Sequence, residues 1–306
     1  MNRNYKFRFL LVMGLVLIVS VFTGCKGGKK ASNNDSTPPF VQDNASIIDD
    51  IQQAEKVFHA LPSPLEAAML IKSAGAPFKE SLLNPLSNAN SYMTTKAKAL
   101  NLGVYTCDLS YSSMYEQTQL IVDYMNAAKK MADGLGILDA ISEEDINTLE
   151  ENINDSEVIM DIVSQTALNS NSYLEDNGER ASAAMVLLGG WLEGFYFSTQ
   201  LVDMTNLEGN KLVSRIIDQK SSMDDLMNLL DSNKDDASVA ELIQQMNELK
   251  VIFDKVSIQQ TSTGTEYDQA SNATLIKSNT TSSVTPAVFK ELCEKVASIR
   301  NSFVKP

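Results

Sequence analysis

Histidine is nearly missing from this chain of 306 residues, which carries one histidine, one tryptophan and three cysteines. The lone His59 excludes metal sites built from several imidazoles and leaves any nucleophile–imidazole triad dependent on that one side chain. Its place on a short amphipathic stretch suits an ordinary surface or core histidine. No Cys-x-x-Cys pair exists for zinc or redox chemistry, and no glycine-rich phosphate loop follows a strand. No metal or cofactor is therefore expected. Cations are also in deficit, with 25 Lys and Arg against 39 Asp and Glu and a net charge of -14. A polyanion would meet a repulsive field with no basic stripe to release its counterions, so nucleic acid is not an expected partner.

The first 24 residues lack any acidic side chain. They hold Arg3, Lys6 and Arg8, then an apolar run over 9–22 interrupted only by Gly14 and Ser20. That layout is a signal sequence, and the run is shorter than the roughly 20 residues a helix needs to cross about 30 Å of hydrocarbon. Val21-Phe22-Thr23-Gly24-Cys25 resembles a lipobox. The resemblance implies cleavage after Gly24 and a lipid-bearing Cys25. One acyl chain binds a bilayer only marginally, whereas the two or three chains of a lipoprotein anchor stably. Removing 1–24 takes three basic and no acidic residues, moving the charge from -14 to -17.

A polar tether occupies 25–45, with lysines rather than acidic residues directly after the cysteine and its first aspartate at Asp35. Surface-export and inner-membrane-retention signals both use acidic residues near that cysteine. The expected address is therefore the outer membrane, facing the periplasm. The remainder, 46–306, reads as a single helical domain with 43% of the whole chain hydrophobic.

Apolar residues recur at three- and four-residue spacing from Ile47 to Leu61, before Pro62. A helix capped by Ser63 follows, stopping at Gly75. The spacing predicts a helix from about 89 to Gly103 and another from about 104 to 135 with Gly136 as its cap. Ser142-Glu143-Glu144-Asp145 is close to a capping box. Further helices are expected near 155–176, 179–205, 210–231 and 236–256, separated by short breaks, and a last one over 286–303 whose face is Val288, Phe289, Leu292, Val296, Ile299 and Phe303. Short connections make neighbours antiparallel. The fold expected is all-α, an antiparallel helical bundle or an array of helical hairpins. In a Ser/Thr-rich insertion over 257–285, Ser and Thr take 13 of 29 positions. It leaves two readings open, a small β-hairpin or an irregular loop.

Two stretches carry chemistry. In 101–115, which also holds Tyr105, residues Cys107, Tyr111 and Tyr115 share a helical face with Asp108 beside it. In 187–197, Gly189, Gly190 and Gly194 each weaken a helix by roughly 1 kcal/mol relative to alanine, so a close helix crossing must compensate. Glu193 stands amid apolar residues on every face and must be paired, protonated or turned into a cavity. Tyr105, Asp108, Tyr111, Tyr115, Trp191, Glu193 and Tyr196 are the candidate ligand groove, with core packing as the competing reading. Cys107 and Cys293 leave a disulfide or two free thiols open. A bridge would stabilise by on the order of 4 to 5 kcal/mol through lost unfolded-state entropy.

The Leu-Gly-Val-Tyr and Asp-Leu pattern at 102–109, the Gly-Gly-Trp and Glu-Gly pattern at 189–194, Pro62-Ser63-Pro64 and Leu83-Asn84-Pro85-Leu86 together resemble an uncharacterised family of helical bacterial lipoproteins. The resemblance covers about 61–201. It implies a helical fold and an exported address, and it brings no reaction and no catalytic residues. The leading functional expectation is a non-enzymatic, membrane-tethered domain that binds a protein, peptide or small molecule. A carboxylate-dependent hydrolase of envelope glycans, with Asp108 and Glu193 as acid and base, is the alternative. A purely structural envelope component is the third reading.

Overall fold

Short polar side chains begin most helices in the computed structural model of the chain, which describes residues 71–73, 75–207, 210–268 and 273–306. The expected leader, Cys25, the tether, His59 and the helical pattern of 47–61 lie outside these residues. Thr94 accepts the Ala97 amide at the start of α1 (Thr95–Met114). α2 (Thr118–Gly134) starts without a side-chain cap. Ser142 accepts the Asp145 amide at 2.9 Å to open α3 (Glu143–Glu151), as the capping-box pattern predicts. Asp155 accepts the Glu157 and Val158 amides at α4 (Ser156–Asp176). α5 (Arg180–Gln200) follows Gly178, a residue at φ +80°. Asn210 caps α6 (Lys211–Asp231), Asp236 caps α7 (Ala237–Phe253), and Thr285 with Pro286 opens α8 (Pro286–Val304). Each such cap is worth about 1 kcal/mol.

The packing is that of an all-α bundle. Helices α1 and α5 form its centre, and their broadest contact is with each other. Both are buried on nearly every side, which is why neither shows a polar stripe: from Ala99 to Met114 only Thr106 escapes full burial. α2, α4 and α8 pack on α1. α4, α6 and α8 pack on α5, and α7 lies against α6 and α8. No helix among the described residues is long and apolar enough to cross a membrane.

One expected boundary is wrong. Gly103 does not end a helix but sits inside α1. A Cβ on Gly103 would lie 2.1 Å from the Val186 carbonyl oxygen of α5, and one on Gly189 would lie 2.0 Å from that of Leu100. The glycines are there to let two backbones touch, so their helix-weakening character is offset by the crossing. The real break falls at Tyr115–Gln117, where Glu116 takes φ +56°. Nothing in its residue type announces that turn, since left-handed backbone is usually left to glycine or asparagine.

Within the Ser/Thr-rich insertion the chain forms a hairpin. Strand β1 (Ser257–Asp268) pairs antiparallel with β2 (Ala273–Ser283), from Ser257↔Ser283 to Asp268↔Ala273, with an irregularity between Thr261 and Thr263. The two strands form a sheet of their own.

Candidate functional site

Glu193 of α5 finds its partner on the last helix. Arg300 Nε donates to Oε2 at 2.7 Å and Nη2 to Oε1 at 2.6 Å, a two-pronged ion pair between side chains that are 0% and 6% exposed. Arg300 Nη2 also donates to the Leu82 carbonyl at 2.9 Å, and its guanidinium lies 4.7 Å from the centre of the Tyr196 ring. Burial works against the guanidinium charge, but the Glu193 charge and its hydrogen bonds outweigh it and hold the Arg300 pKa above its usual value.

Asp108 of α1 meets Glu193 at the same place. Its Oδ2 accepts the Asn84 amide at 3.2 Å, and it shares a side-chain hydrogen bond with Glu193. Burial, and then the charge of Glu193, push the Asp108 carboxyl well above the usual carboxylate range. Burial pushes Glu193 up as well, while Arg300 and the hydrogen bond with Asp108 pull it back. Burial thus favours the neutral form of Asp108, while the two-pronged bond from Arg300 favours the charged form of Glu193. Asp108 Oδ1 is a buried acceptor with no donor among the described residues, an arrangement that a protonated carboxyl relieves.

A polar ring closes around this trio. Asn84, wholly buried, donates to Asn101 Oδ1 at 2.9 Å and accepts Tyr124 OH on its carbonyl at 3.0 Å. Asn101 donates to the Phe303 carbonyl and Tyr92 to the Val304 carbonyl, so the open end of α8 is satisfied from the other end of the domain.

The expected tyrosine groove is filled by its own side chains. Tyr105 and Tyr111 are 0% and 1% exposed. Tyr105 donates to the Pro85 carbonyl, and Tyr111 accepts the Lys79 amide and stacks on Phe197 at 4.6 Å between ring centres. The half-buried Tyr115 donates to the Ala76 carbonyl at 2.6 Å, and burial pushes its phenol up to about 12. Asp108, Glu193 and Tyr196 come together at Arg300. Trp191 turns toward α6, donating Nε1–H to Gln219 at 3.1 Å. A Cys107–Cys293 bridge is not formed, and both are buried free thiols. Burial, and then the nearby Glu193, push the Cys107 thiol well up, while burial takes Cys293 up to about 12. Among the described residues no cluster of His, Cys, Asp or Glu is placed to hold a metal.

The cavity lies on the other side of the α1–α5 crossing. It measures about 140 Å³ and is walled by Leu102 and Leu109 of α1, Met125 of α2, Leu149 of α3, Val163 and Asn171 of α4, and Leu187 and Trp191 of α5. The exposed Lys129 and half-buried Asp145 also line it, so it reaches the surface at that end. Of the seven candidate groove residues, only Trp191 borders it. Comparison with known protein families, with characterised proteins and with solved structures finds no match to this chain.

Arg300, Asn84 and Asn171 escape sequence reasoning. Arg300 left a trace, a cation between Ile299 and Phe303 on an apolar helical face. Asn84 left only its place in the Leu83-Asn84-Pro85-Leu86 motif, and Asn171 left no trace, since a single asparagine within a helix is unremarkable.

Proposed function

We propose that the chain is a membrane-anchored envelope lipoprotein, held through acylated Cys25, whose helical body binds a small, mainly apolar molecule without acting on it chemically. The leader and lipobox support the anchor, and the lysine-rich start of the tether supports an outer-membrane site facing the periplasm. The observation that carries the binding reading is the cavity beside Trp191, about 140 Å³ and lined mainly by apolar side chains, close in size to cavities that admit one benzene-sized ring. Asp108 and Glu193 are 0% exposed and neither lines that cavity, which favours binding over the hydrolase reading.

The binding reading is checked by fluorine NMR of fluorobenzene added to the full chain held in amphipol. Saturable binding is expected, and Ala167→Phe, which fills the cavity from α4, should abolish it while leaving background partitioning into the amphipol. Binding that persists in the filled variant, or none in the wild type, would refute it. The anchor is checked by incorporation of alkyne-labelled palmitate, expected in the wild type and lost in Cys25→Ser.

A further inference from the structure

Strands β1 and β2 make a sheet of two, so each keeps one edge whose backbone donors and acceptors have no strand beside them. Among the described residues the only broad contact either strand makes is with the other. A two-stranded sheet by itself is only marginally stable in water, and a packed apolar face or a third strand is what completes it. No such face exists here. Leu275 and Ile276 are neighbours in β2 and fall on opposite faces, and their register partners Glu266 and Thr265 are polar, so neither face collects an apolar row. The edges remain. Proteins blunt exposed edges with charges, proline or bulges. The extra residue Ser262 interrupts β1, whereas β2 runs on without one, holds no proline and carries Lys277 as its one charge.

We propose that the free edge of β2 pairs with the β2 edge of a second copy of this chain, giving a four-stranded sheet in the order β1-β2-β2-β1 about a two-fold axis. Antiparallel pairing over the whole of β2 sets Ser278 opposite itself, Lys277 opposite Asn279 and Ile276 opposite Thr280, so no charge meets its like. The chain as a whole, at -14, repels a second copy, and the nearly uncharged strand is where two copies approach with least repulsion. Copies held on one membrane through Cys25 also meet at high local concentration, which lets a modest strand pairing populate. The pairing uses neither the cavity nor its ligand, so it goes beyond the binding reading and stands or falls apart from it.

Disulfide trapping tests the register in the full chain held in vesicles of phosphatidylethanolamine and phosphatidylglycerol, with copper phenanthroline as oxidant. The wild type, whose Cys107 and Cys293 are buried, gives the background. Facing positions along an antiparallel pair alternate between a close and a wider spacing, so either Ser278 against itself or Lys277 against Asn279 is the close kind. A disulfide dimer is therefore expected from Ser278→Cys, or from a mixture of Lys277→Cys with Asn279→Cys, and from neither of those two alone. No dimer above background in any of these, or equal yields from all three single variants as random collision would give, would overturn the pairing. A charge swap reads the same contact at equilibrium, by energy transfer between copies dye-labelled at the exposed position of Lys290→Cys. Transfer should rise with the ratio of protein to lipid, fall to the level of randomly placed chains in Ser278→Lys or Ser278→Glu alone, and return when the two are mixed. Transfer that the mixture does not restore, or that neither variant lowers, also refutes it.

Discussion

At the scale of single residues, the centre of this protein turns on one proton. Two carboxyls and one guanidinium are buried together, and the arrangement is tolerable because burial favours the neutral form of Asp108 while Glu193 is matched by Arg300. Removing either partner of a buried ion pair typically costs about 3 to 5 kcal/mol, since the other charge is left uncompensated. The Asp108 carboxyl is raised above its ordinary value of 3.8, so the folded state holds a proton that the unfolded chain releases. Its contribution to stability is whole below that ordinary value and drains away as pH rises toward the folded pKa, at up to about 1.4 kcal/mol per pH unit. Asp108→Asn keeps a donor toward Glu193 and removes the titration. The wild type should therefore lose stability relative to Asp108→Asn as urea denaturation is repeated from acid toward neutral pH. A difference between the two that stays flat with pH would mean that Asp108 is ionised in the fold.

Among the elements, the crossing of α1 and α5 is decided by atoms that are missing. Gly103 and Gly189 face backbone carbonyls, which cannot rotate aside, whereas a Cβ on Gly190 would lie 3.5 Å from the nearest atom, an ordinary contact. Gly189→Ala should destabilise by about 3 kcal/mol or more, and Gly190→Ala should be neutral or stabilising by up to about 1 kcal/mol from helix propensity. Chemical denaturation of the two variants side by side makes the comparison, and similar losses in both would contradict the crossing. The glycines also show how far local signals reach. The run of apolar residues and glycines in α5 marks a close helix contact, and the pattern is legible without a structure. Which glycine touches which helix is not, because glycine reads as a helix stop in one context and as a contact in another. Gly136 and Gly178, at φ +72° and +80°, do mark helix ends, while Gly103 does not.

Over the whole molecule, the C-terminal helix closes the body. α8 brings Arg300 to Glu193 across 107 positions, and its last carbonyls accept side chains from before and within α1. The β1–β2 hairpin has a different standing. Its strands pair with each other, and Ser257 and Ser283 at its base are register partners. Replacing 258–282 with a short Gly-Ser turn needs little rearrangement of the flanking helices, and loop closure depends only weakly on length. That variant should unfold cooperatively with a stability within about 1 kcal/mol of the wild type. A loss of cooperativity on thermal unfolding would show the hairpin to be part of the body.

Apart from the break between α1 and α2, most helix positions, several caps and the apolar face of α8 were set by the chain alone, because 3.6-residue periodicity and capping side chains act within a few neighbours. The need of Glu193 for a partner was equally local, being a charge with apolar residues on every face. Tertiary packing alone chose that partner, filled the tyrosine groove, kept Cys107 and Cys293 apart and opened a cavity beside Trp191. Those outcomes depend on which surfaces meet across distant parts of the chain, and residue spacing carries no record of that.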